Sequence, residues 1–364
     1  MKYLFHLGHP AHFHLFKYVI KQLKNNGHDV AILIKKKDVL EDLLKESGFE
    51  YVNILPHGRK DNRFGIALGM VQTDIKLFRF CLKYKPNLMV GTSYAISHVG
   101  KLLCIPSINV NEDDAMAVPL YAKLSYPWAS EIITPDICDN GKWNSKSIKY
   151  HGYHELAYLH PNHFTPDKNI VAKYFSPDEP YFIIRFAKLK AHHDTDVKGI
   201  DSAVTKRIIE ILKPHGRIYI TSERELEEEF EQYRMAIKPL DMHHIMAFAQ
   251  LYIGDSQTMA AEAGVLGTPF IRFNDFVGRI GYLNDLENNY HLGYGIKPND
   301  PEKLFQIIKE LVSKDNLKVN FSSLCHKMIS EKIDVALFLV WFIESYPKSV
   351  ETMRANPEFQ YNFK

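Results

Sequence analysis

From residue 3 to residue 135 the chain repeats one cadence: a short apolar run, a turn, then an amphipathic stretch. YLFHL, VAILI, YVNIL, NLMVG, SINV and EIITP read as strands. Between them FKYVIKQLKNNG closes on Gly27 and DVLEDLLKESG on Gly48, while IALGMVQTDIKLFRFCLKYK stops before Pro86, all helix signatures. Strands alternating with helices predict parallel βαβ units, hence an open sheet covered by helices on both faces. The cadence fails between about 136 and 178, where Pro, Asn, Asp and His crowd together, and a domain boundary is expected there. It restarts with YFIIRF, IDSAVTKRIIEILKPHG, RIYIT, MHHIMAFAQ, LYIGD, SQTMAAEAGVLG and PFIRF. The expectation is an α/β chain of two Rossmann-like, doubly wound parallel-sheet domains, 1–160 and 161–330. Residues 331–364 follow as a C-terminal helix and tail, with a crossing back to the first domain as one option.

A length of 364 residues agrees with two cores rather than one. The balance of 45 Lys+Arg against 43 Asp+Glu leaves a formal charge of +2, which gives no bulk attraction for nucleic acid, so none is expected as partner. Four cysteines lie far apart without a CxxC pair, which argues against a zinc knuckle or redox motif and for a reducing compartment. The N-terminus runs straight into a strand and no apolar run reaches the ~18 residues of a membrane span, so a cytoplasmic protein is expected. ALFLVWFI, 336–343, reads as a buried C-terminal helix, with membrane or partner contact as the alternative.

Ligands of doubly wound sheets bind outside the carboxyl ends of the strands. In GDSQTMAAEAGVLGTPF, 254–270, a strand turns into a helix that Ser256 or Thr258 can cap. The unpaired amides around Gln257, Thr258 and Met259, with the helix dipole, suit a diphosphate. Glu262 lies one turn further on the same face, where a carboxylate can reach ribose hydroxyls. Arg185 at the end of YFIIRF is placed to pair bidentately with a diphosphate. Ser222 and Arg224 after RIYIT, and Met242 and His243 before the motif helix, are further candidates on the nucleotide side.

In the first half, HLGHPAHFHLF holds His6, His9, His12 and His14. As a metal site, His9, His12 and His14 form an HxxHxH pattern that no nearby Asp, Glu or Cys completes. As a catalytic base, one of them must face the ligand with a pKa near neutrality. As structural residues, His6 sits in the strand and His14 in the first helical turn, where a polar side chain can bond the backbone. Thr92 and Ser93 follow NLMVG, and Asn111, Glu112 and Asp113 follow SINV; these strand ends, with His9 after the first strand, are the places for an acceptor pocket. Glu112 or Asp113 could orient His12 as a base and its carboxylate. The plainer reading of each is a helix cap.

Asp255, Ser256, Glu262, Ala263, Leu266, Gly267 and Pro269 keep the register of a DSGG…EEA…LG.P pattern. On these residues the chain resembles the GT-B superfamily of nucleotide-sugar glycosyltransferases and its relative, UDP-N-acetylglucosamine 2-epimerase. Glu262, seven residues before Pro269, resembles the glutamate that binds nucleotide ribose in glycosyltransferases. Gln257-Thr258 replaces the epimerases' Gly-Gly, which weighs against epimerase activity. Many inverting members carry a functional histidine fifteen residues before the glycine of a GH.V turn. Here that turn is Gly27-His28-Asp29-Val30 and the place belongs to His12, with Ala11 where the usual Gly precedes it and Gly8-His9 three residues early. HGYHELAYL, 151–159, and AHHD, 191–194, resemble segments of a bacterial and archaeal family of predicted GT-B fold.

The resemblance implies a glycosyltransferase that moves a sugar from a nucleotide-sugar donor to a saccharide or lipid-linked acceptor in surface polysaccharide or glycoconjugate synthesis. Peripheral contact with the inner face of a membrane is one option. It implies no cofactor and no metal, because the amides at 256–259 would neutralise the leaving diphosphate. An epimerase-like or sugar-nucleotide-hydrolysing enzyme, and a non-catalytic nucleotide-sugar-binding protein, are the alternatives.

Overall fold

A computed structural model describes residues 1–37, 39–56, 63–187 and 199–364. The chain divides into two compact units, residues 1–163 with 332–364, and residues 164–331.

The first unit is built on seven parallel strands: β1 (Lys2–Leu7), β2 (Asp29–Lys35), β3 (Val52–Leu55), β4 (Leu88–Gly91), β5 (Ser107–Val110), β6 (Glu131–Pro135) and β7 (Ser147–Tyr150). Their spatial order is β3-β2-β1-β4-β5-β6-β7. Successive strands first step one way from β1 and then the other way from β4, so the direction reverses between β1 and β4. This reversal opens a crevice at the carboxyl ends of those two strands. The approach is close there: Gly91 has φ +155, and a Cβ on it would stand 2.6 Å from the His6 carbonyl oxygen. Only glycine fits. Strand interiors are closed on both faces, as parallel sheets require, with Leu4, Phe5, Ile32, Leu33, Met89 and Val90 buried.

The C-terminal residues pack on this unit. Helix Val335–Glu344, the ALFLVWFI stretch, lies against helix Pro10–Asn25 and buries Phe338, Leu339, Phe342 and Ile343. Glu344 at its end accepts hydrogen bonds from Asn26 Nδ2 at 2.7 Å and His28 Nε2 at 2.8 Å. Its apolar density is therefore core, which answers the membrane alternative raised for this segment. Among the described residues, no helix is long and apolar enough to cross a membrane.

The second unit holds β8 (Tyr181–Phe186), β9 (Arg217–Ser222), β10 (Leu251–Gly254), β11 (Phe270–Phe273) and β12 (Gly293–Ile296), all parallel, in the order β12-β11-β10-β8-β9. Here the reversal falls between β8 and β10. Gly254 ends β10 opposite Arg185 of β8 and Arg272 of β11. A Cβ at Gly254 would stand 2.9 Å from Arg185 Cβ and 2.6 Å from the Tyr252 hydroxyl. Helix Gln257–Val265 begins immediately beyond. Two strands carry little sequence signal: SIKY of β7 lies in the stretch expected to be a boundary, and GYGI of β12 has two glycines in four residues.

Candidate functional site at two sheet switch points

The expected site residues fall beside the two reversals, one in each unit. In the first unit the loop after β1 enters helix Pro10–Asn25, whose N-cap is His9. His9 Nδ1 accepts from the Ala11 amide at 3.2 Å, with Pro10 next in the first turn. His9, an acceptor-side candidate, thus caps the helix, while the sequence places the first-turn role on His14. His14 is buried instead, its ring against Phe13 and Tyr158. His6, in β1, bonds Ser93 Oγ through Nδ1 at 2.6 Å, and Ser93 also caps helix Tyr94–Leu103.

His12 is deeply placed yet partly accessible. The Gly8 amide donates to its Nδ1 at 3.1 Å. A neutral ring so held carries its proton on Nε2 and has no acceptor left for a ligand. Burial, reinforced by His9, Lys35, His154 and His6, holds its pKa well below the usual value. His12 therefore offers a hydrogen-bond donor, and the base role expected of it does not fit. Glu112 Oε2 accepts from the His154 amide at 3.2 Å and lies 3.4 Å from His154 Nδ1. Burial lowers His154 to about 3 and His6 to about 3, outweighing the carboxylate beside His154, so both rings are neutral at physiological pH. The Nε2 atoms of both rings have no hydrogen-bond partner among the described residues.

Asp113 is the group here whose titration approaches neutrality. Burial first, then Asp114, raises its carboxyl to about 6, while part of it stays accessible. Asn111 steadies this loop by donating from Nδ2 to the Asp113 carbonyl at 3.0 Å and to the Tyr126 hydroxyl at 2.9 Å. Thr92 Oγ1 donates to the Val110 carbonyl at 2.5 Å. Asn111, Thr92 and Ser93 thus tie strand ends together.

In the second unit Ser256 is the N-cap of helix Gln257–Val265, its Oγ accepting the Met259 amide at 3.5 Å. Met259 is thereby spoken for, and the amides of Gln257 and Thr258 are the first-turn donors without an intrahelical acceptor. Arg185 reaches Thr221 Oγ1 from Nη1 at 2.9 Å and Glu223 from Nη2. Its Nε has no partner among the described residues. Glu262 and His243 meet as expected for one site: Nε2 lies 2.9 Å from Oε1 and both residues are buried. Met242 opens the helix that carries His243. Ser222 and Arg224 are engaged within the unit. Ser222 Oγ donates to the Arg224 carbonyl at 2.6 Å, while the Arg224 guanidinium stacks 4.6 Å over Phe186 and bonds the Ile200 carbonyl. Arg224 also lies close enough to Asp255 to offset part of the rise that burial gives its carboxyl.

The AHHD stretch, 191–194, lies outside the described residues. Among those described, no group of three or more His, Cys, Asp or Glu could hold a metal ion.

A family model described as "Protein of unknown function (DUF354)" matches residues 2–280. The chain belongs to this family. No curated protein matches it in sequence. Solved structures of the same fold do, at low identity. The S. aureus MnaA–UDP co-structure has a TM-score of 0.66 at 12% identity, over 96% of this chain and 97% of that one. The Methanocaldococcus jannaschii UDP-GlcNAc 2-epimerase in complex with UDP-GlcNAc and UDP has a TM-score of 0.65 at 16% identity, over 86% and 94%. The Streptomyces sp. SF2575 glycosyltransferase SsfS6 has a TM-score of 0.59 at 12% identity, over 94% and 99%. The fold is thus the GT-B fold shared by epimerases and glycosyltransferases.

Two residues of this DUF354 chain escape a reading from its motifs. Arg272, fully buried on β11, bonds Glu287 Oε1 from Nε at 2.6 Å and Gln257 Oε1 from Nη1 at 2.5 Å. Its Nη2 has no partner among the described residues. The signal was an arginine inside the otherwise apolar run PFIRF. His154 lies inside the HGYHELAYL resemblance, and only the fold brings it to Glu112.

Proposed function

We propose that this chain is a nucleotide-sugar enzyme, and that it transfers the sugar to a saccharide or lipid-linked acceptor hydroxyl. One observation carries the reading: at the switch point of the 164–331 unit, a helix with open first-turn amides starts between two strand-borne guanidiniums, Arg185 and Arg272. A diphosphate is the ligand such a site favours. The donor's glycosidic C–O bond breaks towards that diphosphate, and the Gln257 and Thr258 amides with Arg185 stabilise the charge it gains. Glu262, held by His243, accepts from the ribose hydroxyls.

The acceptor oxygen forms the new bond to the sugar and gives its proton to a base, the role we assign to Asp113. A carboxyl near 6 can take a proton at neutral pH and later release it. His12 Nε2–H is available to donate a hydrogen bond to a ligand oxygen. Surface polysaccharide or glycoconjugate synthesis is the setting such an acceptor suits.

A second reading is supported by the same carboxyl, because a base near 6 also suits elimination and re-addition of UDP on one sugar, as in a 2-epimerase. Gln257-Thr258 in place of a glycine pair weighs against it. Incubation with UDP-, GDP-, CMP- and CDP-sugars, with and without saccharide and lipid-linked acceptors, separates the readings by the products. Nucleotide release that depends on acceptor supports transfer. Isomerised sugar nucleotide without acceptor would overturn transfer in favour of epimerisation, and binding without turnover would leave a non-catalytic binder.

A further inference from the structure

Helix Arg63–Tyr84 is apolar on two opposite faces. Its inner face is ordinary: Thr73, Leu77 and Cys81 are closed from solvent, the last two in a core cluster with Leu4, Leu33 and Met89. Its outer face carries Leu68, Val71, Ile75 and Leu82, exposed by 59%, 54%, 45% and 52%. Their spacing of three, four and seven residues lines them along one stripe. A surface helix normally turns polar residues outward, and an apolar stripe of this length marks a contact with something else.

The charges beside the stripe say what. Lys76, Arg79 and Lys83 are exposed on the same outer side. Asp74, the helix's one acid, is half-buried and bonded to His98 Nδ1 at 2.9 Å. That bond ties on helix Tyr94–Leu103, whose last turn adds Leu102, 71% exposed, beside exposed Lys101. Lys101 in turn lines a surface hollow with half-exposed Trp128. Exposed aliphatic residues in a stripe flanked by basic charges on one helix are complementary to anionic lipid. A second copy of the chain would bring the same cations face to face.

We infer that the outer face of helix Arg63–Tyr84 lies on an anionic lipid surface, docking the 1–163 unit there without crossing the bilayer. The inference does not depend on the catalytic reading. It also moves membrane contact away from the C-terminal ALFLVWFI helix, which is buried.

The test is co-sedimentation of the full chain with phosphatidylcholine vesicles and with vesicles containing about 30% phosphatidylglycerol, enough to attract a basic surface. The expected result is binding to the anionic vesicles only, released by salt. Ile75→Glu should weaken it by roughly tenfold through lost apolar contact and added repulsion. Lys76→Gln and Lys83→Gln should each weaken it by about fivefold. These side chains are exposed, so an unchanged thermal unfolding curve for each variant shows that folding is intact. Equal binding to both vesicle types, no binding, or an Ile75→Glu variant that binds like the wild type would overturn the inference. So would a dimer in sedimentation velocity that Ile75→Glu dissolves while vesicles bind neither form, which would assign the stripe to a second copy.

Discussion

The two switch points use opposite chemistry. In the 164–331 unit, polar side chains come as acid with base: Arg185 with Glu223, Arg272 with Glu287, His243 with Glu262. In the 1–163 unit, His6, His12 and His154 are kept neutral by burial, and Asp113 titrates near 6. Guanidiniums stay charged at any physiological pH and hold an anion by geometry. Neutral imidazoles and a carboxyl lifted towards neutrality hold little fixed charge and suit moving a proton. Both units are doubly wound, so the contrast lies in the side chains placed at their strand ends, and on the proposed function these make an anion cradle in one unit and a proton-handling surface in the other.

The contrast can be broken most sharply at Asp113. Asp113→Asn should lower turnover by about 10²-fold or more, the usual worth of a general base, while UDP affinity measured by calorimetry stays within about twofold. A variant that loses both, or neither, would show that the two units do not divide the work in this way. A smaller effect sharpens the same point through stability. Asp113 binds its proton more tightly when folded, at about 6, than at its ordinary 3.8. Stability therefore falls as pH rises between those values, and the whole penalty stands above 6. Asp113→Asn removes that penalty. Because part of the carboxyl is solvated, the gain should be on the order of 1 kcal/mol at pH 7.5. It should shrink through pH 6 and vanish near pH 4 in chemical denaturation. Equal stability of variant and wild type across that range would place Asp113 in ordinary solvent.

Much of this was legible before the fold. Period-two and period-3.6 patterns, with glycine and proline stops, marked ten of the twelve strands, because buried parallel strands are continuous apolar runs. Ser256 as a cap and Arg185 at a strand end followed from the same reading. Partner choice did not. Glu112 pairs with His154, 42 residues away, a long-range contact that no local spacing specifies. His12 lost its expected role to one short-range bond from the Gly8 amide, a contact between residues four apart that no spacing rule specifies. Side-chain hydrogen bonds such as those of Ser222 and Arg224 depend on loop geometry, which the sequence leaves underdetermined.

The central claim is that the 164–331 unit holds a nucleotide diphosphate, and calorimetric titration of UDP and of uridine into the full chain tests it directly. UDP should bind at least tenfold more tightly than uridine. Arg185→Met should remove most of that difference, and Glu262→Gln should weaken both ligands. Equal affinities for UDP and uridine in the wild type, or no binding of either, would contradict the claim.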